Sequence, residues 1–170
     1  IQLLCEDKDV SNKTLSRFAE MANSEKSSVV RMYLAAALQR IDEDSRWKIA
    51  EALVTYADDA DDPNIPFMLW FGIEPLVSKD PAKALVIASK SQIPMVTNHI
   101  SRRLVDADFL EELTTSLGSS TGNKLDLLKG MLDGMEGRVD IEEPSNWASV
   151  YSQLKSDKQL AAISLSIAQY

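Results

Sequence analysis

Apolar residues in this chain recur at helical spacing almost from end to end, and the alternation expected of strands is nearly absent. Val30, Tyr33, Leu34, Ala37, Leu38 and Ile41 form one stripe, on a helix over about Ser27 to Arg40. Ile49, Ala50, Leu53, Val54 and Ala57 form the next, on a helix that starts near Asp44 or Ser45. Asp80-Pro81 reads as an N-cap followed by proline at the first helical position. Phe109, Leu110, Leu113 and Leu117 mark a helix stopped by Gly118. Leu125, Leu128, Met131, Leu132 and Met135 mark another, with Gly137 as its C-terminal residue. Trp147, Val150, Tyr151 and Leu154 give a short helix after Pro144. The stretch Ala162 to Ala168 alternates, yet with no partner strand it too is read as helix.

These helices fall into pairs with short links: 11–23 with 27–41, 44–58 with 64–77, 81–90 with 93–105, 107–117 with 122–136, and 145–155 with 157–169. Pair starts are spaced by about 33 to 38 residues, apart from a tighter third pair, a period that suits a helical solenoid. The expected fold is therefore all-α, a single domain over 1–170. Its antiparallel pairs (11–41, 44–77, 81–105, 107–136 and 145–169) stack as a HEAT-like α-solenoid, a right-handed α-α superhelix. The helix Asn64 to Val77 is apolar nearly all round and is expected to be covered on two sides.

Composition narrows the function. Lys and Arg number 18 against 26 Asp and Glu, a net charge of −8, which argues against nucleic acid as a partner. One Cys and one His cannot build a Cys/His zinc site or a haem c attachment segment. The longest apolar run, Phe67 to Ile73, is far short of the about 20 residues that cross a bilayer. No cofactor and no membrane insertion are expected of this segment. Ile1 to Cys5 reads as the last turn of a helix, and Ile167 to Tyr170 ends without a cap. The chain is thus expected to be a piece of a longer protein whose targeting signals lie elsewhere.

Four features invite a chemical reading. Asp58, Asp59, Asp61 and Asp62 could hold a cation, but the EF-hand pattern of glycine and bidentate glutamate is missing. The plainer reading is a turn whose acids cap the next helix. Trp70 and Glu74 lie one turn apart, and Glu74 in so apolar a helix must be paired or exposed. Arg31, Arg102 and Arg103 are the candidate partners, as inter-repeat ion pairs or as the lining of a ligand groove. His99 sits at the edge of an apolar stripe, with no nucleophile-elbow pattern around any serine, and is read as structural. Gly130 and Gly134 have small-xxx-small spacing, which in an acidic soluble chain allows close helix packing or marks fraying of the helix toward Gly137.

The segment Val29-Val30-Arg31-Met32-Tyr33-Leu34-Ala35-Ala36-Ala37-Leu38-Gln39-Arg40 resembles the second helix of a HEAT repeat. Continued through Arg46-Trp47, Ala57 to Asn64, Pro66 to Trp70, Ile73 to Leu76 and Ser101 to Arg103, it resembles a narrower group. This is the helical-repeat region of planctomycete-type membrane-bound dehydrogenases with a haem-binding Cys-x-x-Cys-His segment. The likeness covers about residues 27 to 105. It implies a parent with a β-propeller dehydrogenase domain before the repeats and a cytochrome c domain after them. That parent would be periplasmic or otherwise extracytoplasmic, with haem c in the parent and none here. On this reading the segment is a non-catalytic scaffold whose partners are its neighbouring domains or another protein. The alternatives are a stand-alone peptide-binding HEAT-like module and a helical-repeat enzyme such as a DNA-repair glycosylase.

Overall fold

The computed structural model describes residues 1–6, 10–119, 123–139 and 141–170. Among them are ten α-helices, three short 3-10 segments and no strand, so the protein is all-α. The helices are α1 (Asn12–Ser24), α2 (Ser28–Ala37), α3 (Glu43–Leu53), α4 (Ile65–Val77) and α5 (Pro81–Lys90). They continue as α6 (Pro94–Asp106), α7 (Leu110–Ser119), α8 (Lys124–Met135), α9 (Trp147–Leu154) and α10 (Ala161–Ile167). The 3-10 segments are Gln2–Cys5, Leu38–Arg40 and Ala57–Asp59. The first takes the place of the α-helical turn expected at Ile1 to Cys5.

Side-chain caps explain several starts. Ser11 accepts from the Thr14 N–H ahead of α1, and Asp42 Oδ1 accepts from the Ser45 N–H at 2.9 Å ahead of α3. Asp42, rather than Asp44 or Ser45, is thus the cap of α3. Asp62 Oδ1 takes the N–H groups of Asn64 and Ile65 at the start of α4. Asp80 Oδ1 takes the Lys83 N–H at 3.0 Å, with Pro81 at the first helical position as the sequence suggests. Gly137 adopts φ +79°, the left-handed residue that ends α8.

The ends of α3 and α7 differ from expectation. α3 ends at Leu53, not near residue 58, and Thr55 Oγ1 donates to the Ala52 carbonyl at 2.7 Å just past that end. Ala57 accordingly sits exposed in a 3-10 turn instead of on the α3 stripe. α7 runs through Gly118 to Ser119, so this glycine does not end the helix; a Cβ there would stand 3.2 Å from Val150 Cγ2.

The chain packs into two compact units. The first comprises Ile1–Leu76 with Lys90–Val96, the second Val77–Ser89 with Thr97–Tyr170. In the first, α1 packs on α3 and α2 on α3. Leu38 at the end of α2 meets Gly72 of α4 so closely that a Cβ there would lie 2.5 Å from Leu38 Cβ. Leu34, Leu38, Ile49, Leu53, Leu69 and Ile73 are fully buried in this core. Arg46 bridges elements, donating to the Ile41 carbonyl and to the Gly72 carbonyl at 3.2 Å. The Gln92 N–H donates to the Val54 carbonyl at 2.7 Å.

In the second unit α7 packs on α9, and α8 on α10. α6 meets α8 along Gly130 and Gly134, as the small-xxx-small spacing suggests. A Cβ at Gly130 would lie 2.1 Å from the Asn98 carbonyl oxygen, and one at Gly134 would lie 2.8 Å from Val105 Cβ. Ser101 Oγ donates to the Leu127 carbonyl at 2.5 Å across the same seam. Within both units the recurring contact is between helices two apart in the chain.

Candidate functional site

The most buried charges belong to Arg31 on α2 and Asp59 in the 3-10 turn after α3. Arg31 is 4% exposed and Asp59 1%. Arg31 Nε and Nη2 donate to the two carboxylate oxygens at 2.6 Å each, a bidentate pair. Nη1 donates to the Glu25 and Lys26 carbonyls at 3.1 and 3.0 Å. The guanidinium carbon lies 4.3 Å from the Tyr56 ring centroid. The Asp59 hydrogen bonds push the Arg31 pKa further up, burial opposing them. In a 3-10 turn residues three apart eclipse, so Tyr56 and Asp59 present one face to Arg31.

Arg31 is one of the three arginines that the sequence offers as partners for Glu74, and the structure pairs it with Asp59. The acidic run divides its labour. Asp59 is turned inward to Arg31, Asp62 caps α4, and Asp58 and Asp61 are exposed. Among the described residues no three His, Cys, Asp or Glu side chains are grouped to hold a metal ion.

Trp70 and Glu74 share α4 and are half-buried, in the first unit with Arg31. His99, Arg102 and Arg103 share α6 in the second unit. There Arg102 is exposed, while His99 and Arg103 are half-buried with His99 Nδ1 and Arg103 Nε shielded from solvent. The six residues singled out from sequence thus divide between the two units, three in each.

α4 itself is two-faced. Ile65, Leu69, Ile73 and Leu76 line its covered side. Asn64, Phe67, Phe71 and Pro75, spaced by three or four residues, lie on the other side and are all exposed. Phe67 is 49% and Phe71 55% exposed, their rings stacked with centroids 6.4 Å apart. The expectation that this helix is covered on two sides is corrected on this face. The signal was in the sequence: an all-round apolar helix is equally one that keeps a sticky stripe for another surface.

The second unit holds a feature that sequence reasoning missed. A cavity of about 140 Å³ opens between α8, α9 and α10, lined by Met131, Met135, Trp147, Ile167 and Tyr170. Beside it is a wider recess of about 400 Å³ with four carboxylates and one guanidinium. Ile141, Glu143 and Pro144 line both. The stretch between α8 and α9 reads in sequence only as a weakly structured link, because nothing local announces a wall shared by two recesses. At the other end of the chain, Cys5 is buried beside Tyr33 and Arg40, and burial pushes its thiol pKa up.

No α-helix among the described residues is long and apolar enough to cross a membrane. Compared with known proteins, the chain matches no family model, no curated sequence and no solved structure.

Proposed function

We propose that the chain is a non-catalytic docking scaffold, its helix pairs stacked in the HEAT manner, that holds a flanking protein domain through the outer face of α4. The observation that carries this reading is the stacked Phe67–Phe71 pair, about half exposed on a helix whose other face is core. Exposed aromatic stripes of this kind anchor protein interfaces, where aromatics are enriched. Asp62 and its neighbours at the start of α4 border the stripe with negative charge, which suits a partner with basic residues around an apolar centre.

The stacking supports the reading in a second way. Contact between helices two apart is what successive pairs make when each seals the next. Of the charges singled out in sequence, Arg31 is committed to holding elements together, through Asp59. The resemblance over residues 27 to 105 supplies the parent: a dehydrogenase-like protein in which the scaffold spaces a β-propeller domain from a cytochrome c domain, outside the cytoplasm.

A photo-crosslinking residue at position 71 of the intact parent tests the reading. The expected adduct joins α4 to a flanking domain, and Phe71→Asp weakens that domain's attachment. Adducts only with solvent-exposed linker peptides, or sugar oxidation by the isolated chain with an added electron acceptor, would overturn it.

A further inference from the structure

We infer that the paired recesses in the second unit form a binding site for a peptide segment that carries one aromatic or branched apolar side chain flanked by basic residues. The site shares no residue with the α4 face and stands whether or not the parent is a dehydrogenase.

The inner compartment sets the apolar requirement. Its volume of about 140 Å³ is close to that of apolar cavities that accept a single benzene ring, about 150 Å³. Met131, Met135, Trp147 and Ile167 are each at most 7% exposed, so a ring entering here is backed by core side chains, with its open edge toward the exposed Ala168 and Tyr170. Two thioethers and an indole give soft, polarisable walls that adapt to a ring or a branched chain. Drug-sized ligands need about 300 Å³ or more, so one side chain is the fitting occupant.

The outer compartment sets the charge requirement. Its carboxylates are Asp108, Glu111, Glu142 and Glu143, against the single guanidinium of Arg138. Arg138 is committed: it donates to Asp108 at 2.9 Å and to the Val105 carbonyl at 2.8 Å. Glu111 is committed to the Ser145 N–H at 2.9 Å and to the Ser145 hydroxyl. Glu142 and Glu143 are exposed on the segment before Pro144, and Glu143 stands on the wall common to both compartments. A cation that follows an apolar side chain into the site therefore meets Glu143 first.

The outer recess is wider than one ammonium group needs, about 400 Å³, and holds an excess of three negative charges over its lining. That excess favours a segment with more than one basic residue over a free aromatic amine. Anionic or purely apolar segments would gain the ring burial but lose the charge match.

The test titrates the full chain with capped pentapeptides of sequence Gly-Lys-Phe-Lys-Gly, Gly-Lys-Ala-Lys-Gly and Gly-Glu-Phe-Glu-Gly, and with phenethylamine, by calorimetry and by amide chemical shifts. The Lys-Phe-Lys peptide should bind about tenfold or more tighter than either other peptide and than the amine. The shift changes should map to α8, α9 and α10, to residues 141–146 and to Glu111 at the start of α7. Glu142→Gln with Glu143→Gln, both exposed, should weaken it about threefold or more and flatten its salt dependence. Ala168→Trp, which fills the cavity mouth from the exposed end of α10, should abolish it, with the circular dichroism unchanged. Equal binding of the three peptides, unchanged affinity in the double glutamine variant, shifts elsewhere, or phenethylamine binding as tightly as the peptide would each overturn the inference.

Discussion

Two contacts, one in each compact unit, hold distant segments together by opposite means. The first sets Arg31 against Asp59, 28 residues on, with two 2.6 Å bonds in a site closed to water. The second sets α6 against α8 by removing side chains, so that Gly130 lies directly under the Asn98 carbonyl. A buried charge pair specifies who meets whom and penalises any change that leaves one charge alone. A glycine seam specifies only how near the helices come, and penalises any added atom. The first device fails by subtraction and the second by addition.

The contrast can be broken most severely at the charge. Arg31→Ala leaves the Asp59 carboxylate buried without its counter-charge and should cost about 3–5 kcal/mol in urea unfolding. Arg31→Met combined with Asp59→Leu removes both charges and should cost clearly less than the single change. A single-variant loss under about 1 kcal/mol would mean the pair is no stronger than a surface bridge. At the seam, Gly130→Ala should cost about 2–3 kcal/mol, because the obstacle is backbone. Gly134→Ala meets Val105 Cβ first and should cost about 1–2 kcal/mol. Gly118→Ala, with only a Val150 methyl at 3.2 Å, should be neutral or gain up to about 1 kcal/mol from helix propensity. If all three glycine variants behave alike, close approach is not what the seam depends on.

The same contrast explains what could be read from sequence. Helices, caps at Asp80 and Gly137, and the Gly130/Gly134 spacing are local, and periodicity or chain geometry announces them. The partner of Arg31 is not local. It depends on α3 ending at Leu53 and on a 3-10 turn, whose three-residue period aligns Tyr56 with Asp59. Helical spacing carried through residue 58 hides that alignment. The α4 stripe was visible as residues but not as a surface, since an apolar helix does not say which flank a neighbour covers. The twin recesses depend on a link, residues 141–146, that Ser145 and Asn146 tie to α7, and no periodic signal encodes that.

A smaller effect separates local charge from buried charge. Asp80 accepts the Lys83 N–H and side chain at the start of α5, and those bonds hold its carboxyl below the usual range. A depressed folded pKa adds stability above the unfolded value, near about 4, and loses it as pH falls through the folded value. Asp80→Ala should cost about 1 kcal/mol at pH 7. The difference from wild type should shrink below about pH 4 as the wild-type carboxylate protonates. Asp80→Asn should keep most of the cap at both pH values. A gap between Asp80→Ala and wild type that stays constant down to about pH 2 would remove the charge from the cap's contribution.

The smallest effect on folding should come from the residues with the largest proposed role. Phe67 and Phe71 are about half exposed and touch each other, so Phe67→Ser with Phe71→Ser forfeits one ring contact, about 0.5–1 kcal/mol. The exposed half of each ring lowers solubility, and nothing in the fold needs it. The double variant should therefore unfold within about 1 kcal/mol of wild type yet lose attachment of the flanking domain. Ile73→Ala, one turn away on the covered face, should do the reverse: lose about 2–4 kcal/mol of stability while leaving the aromatic stripe in place. Should the serine variant destabilise the protein as much as Ile73→Ala does, the outer flank of α4 is part of the core, and its reading as a docking surface fails.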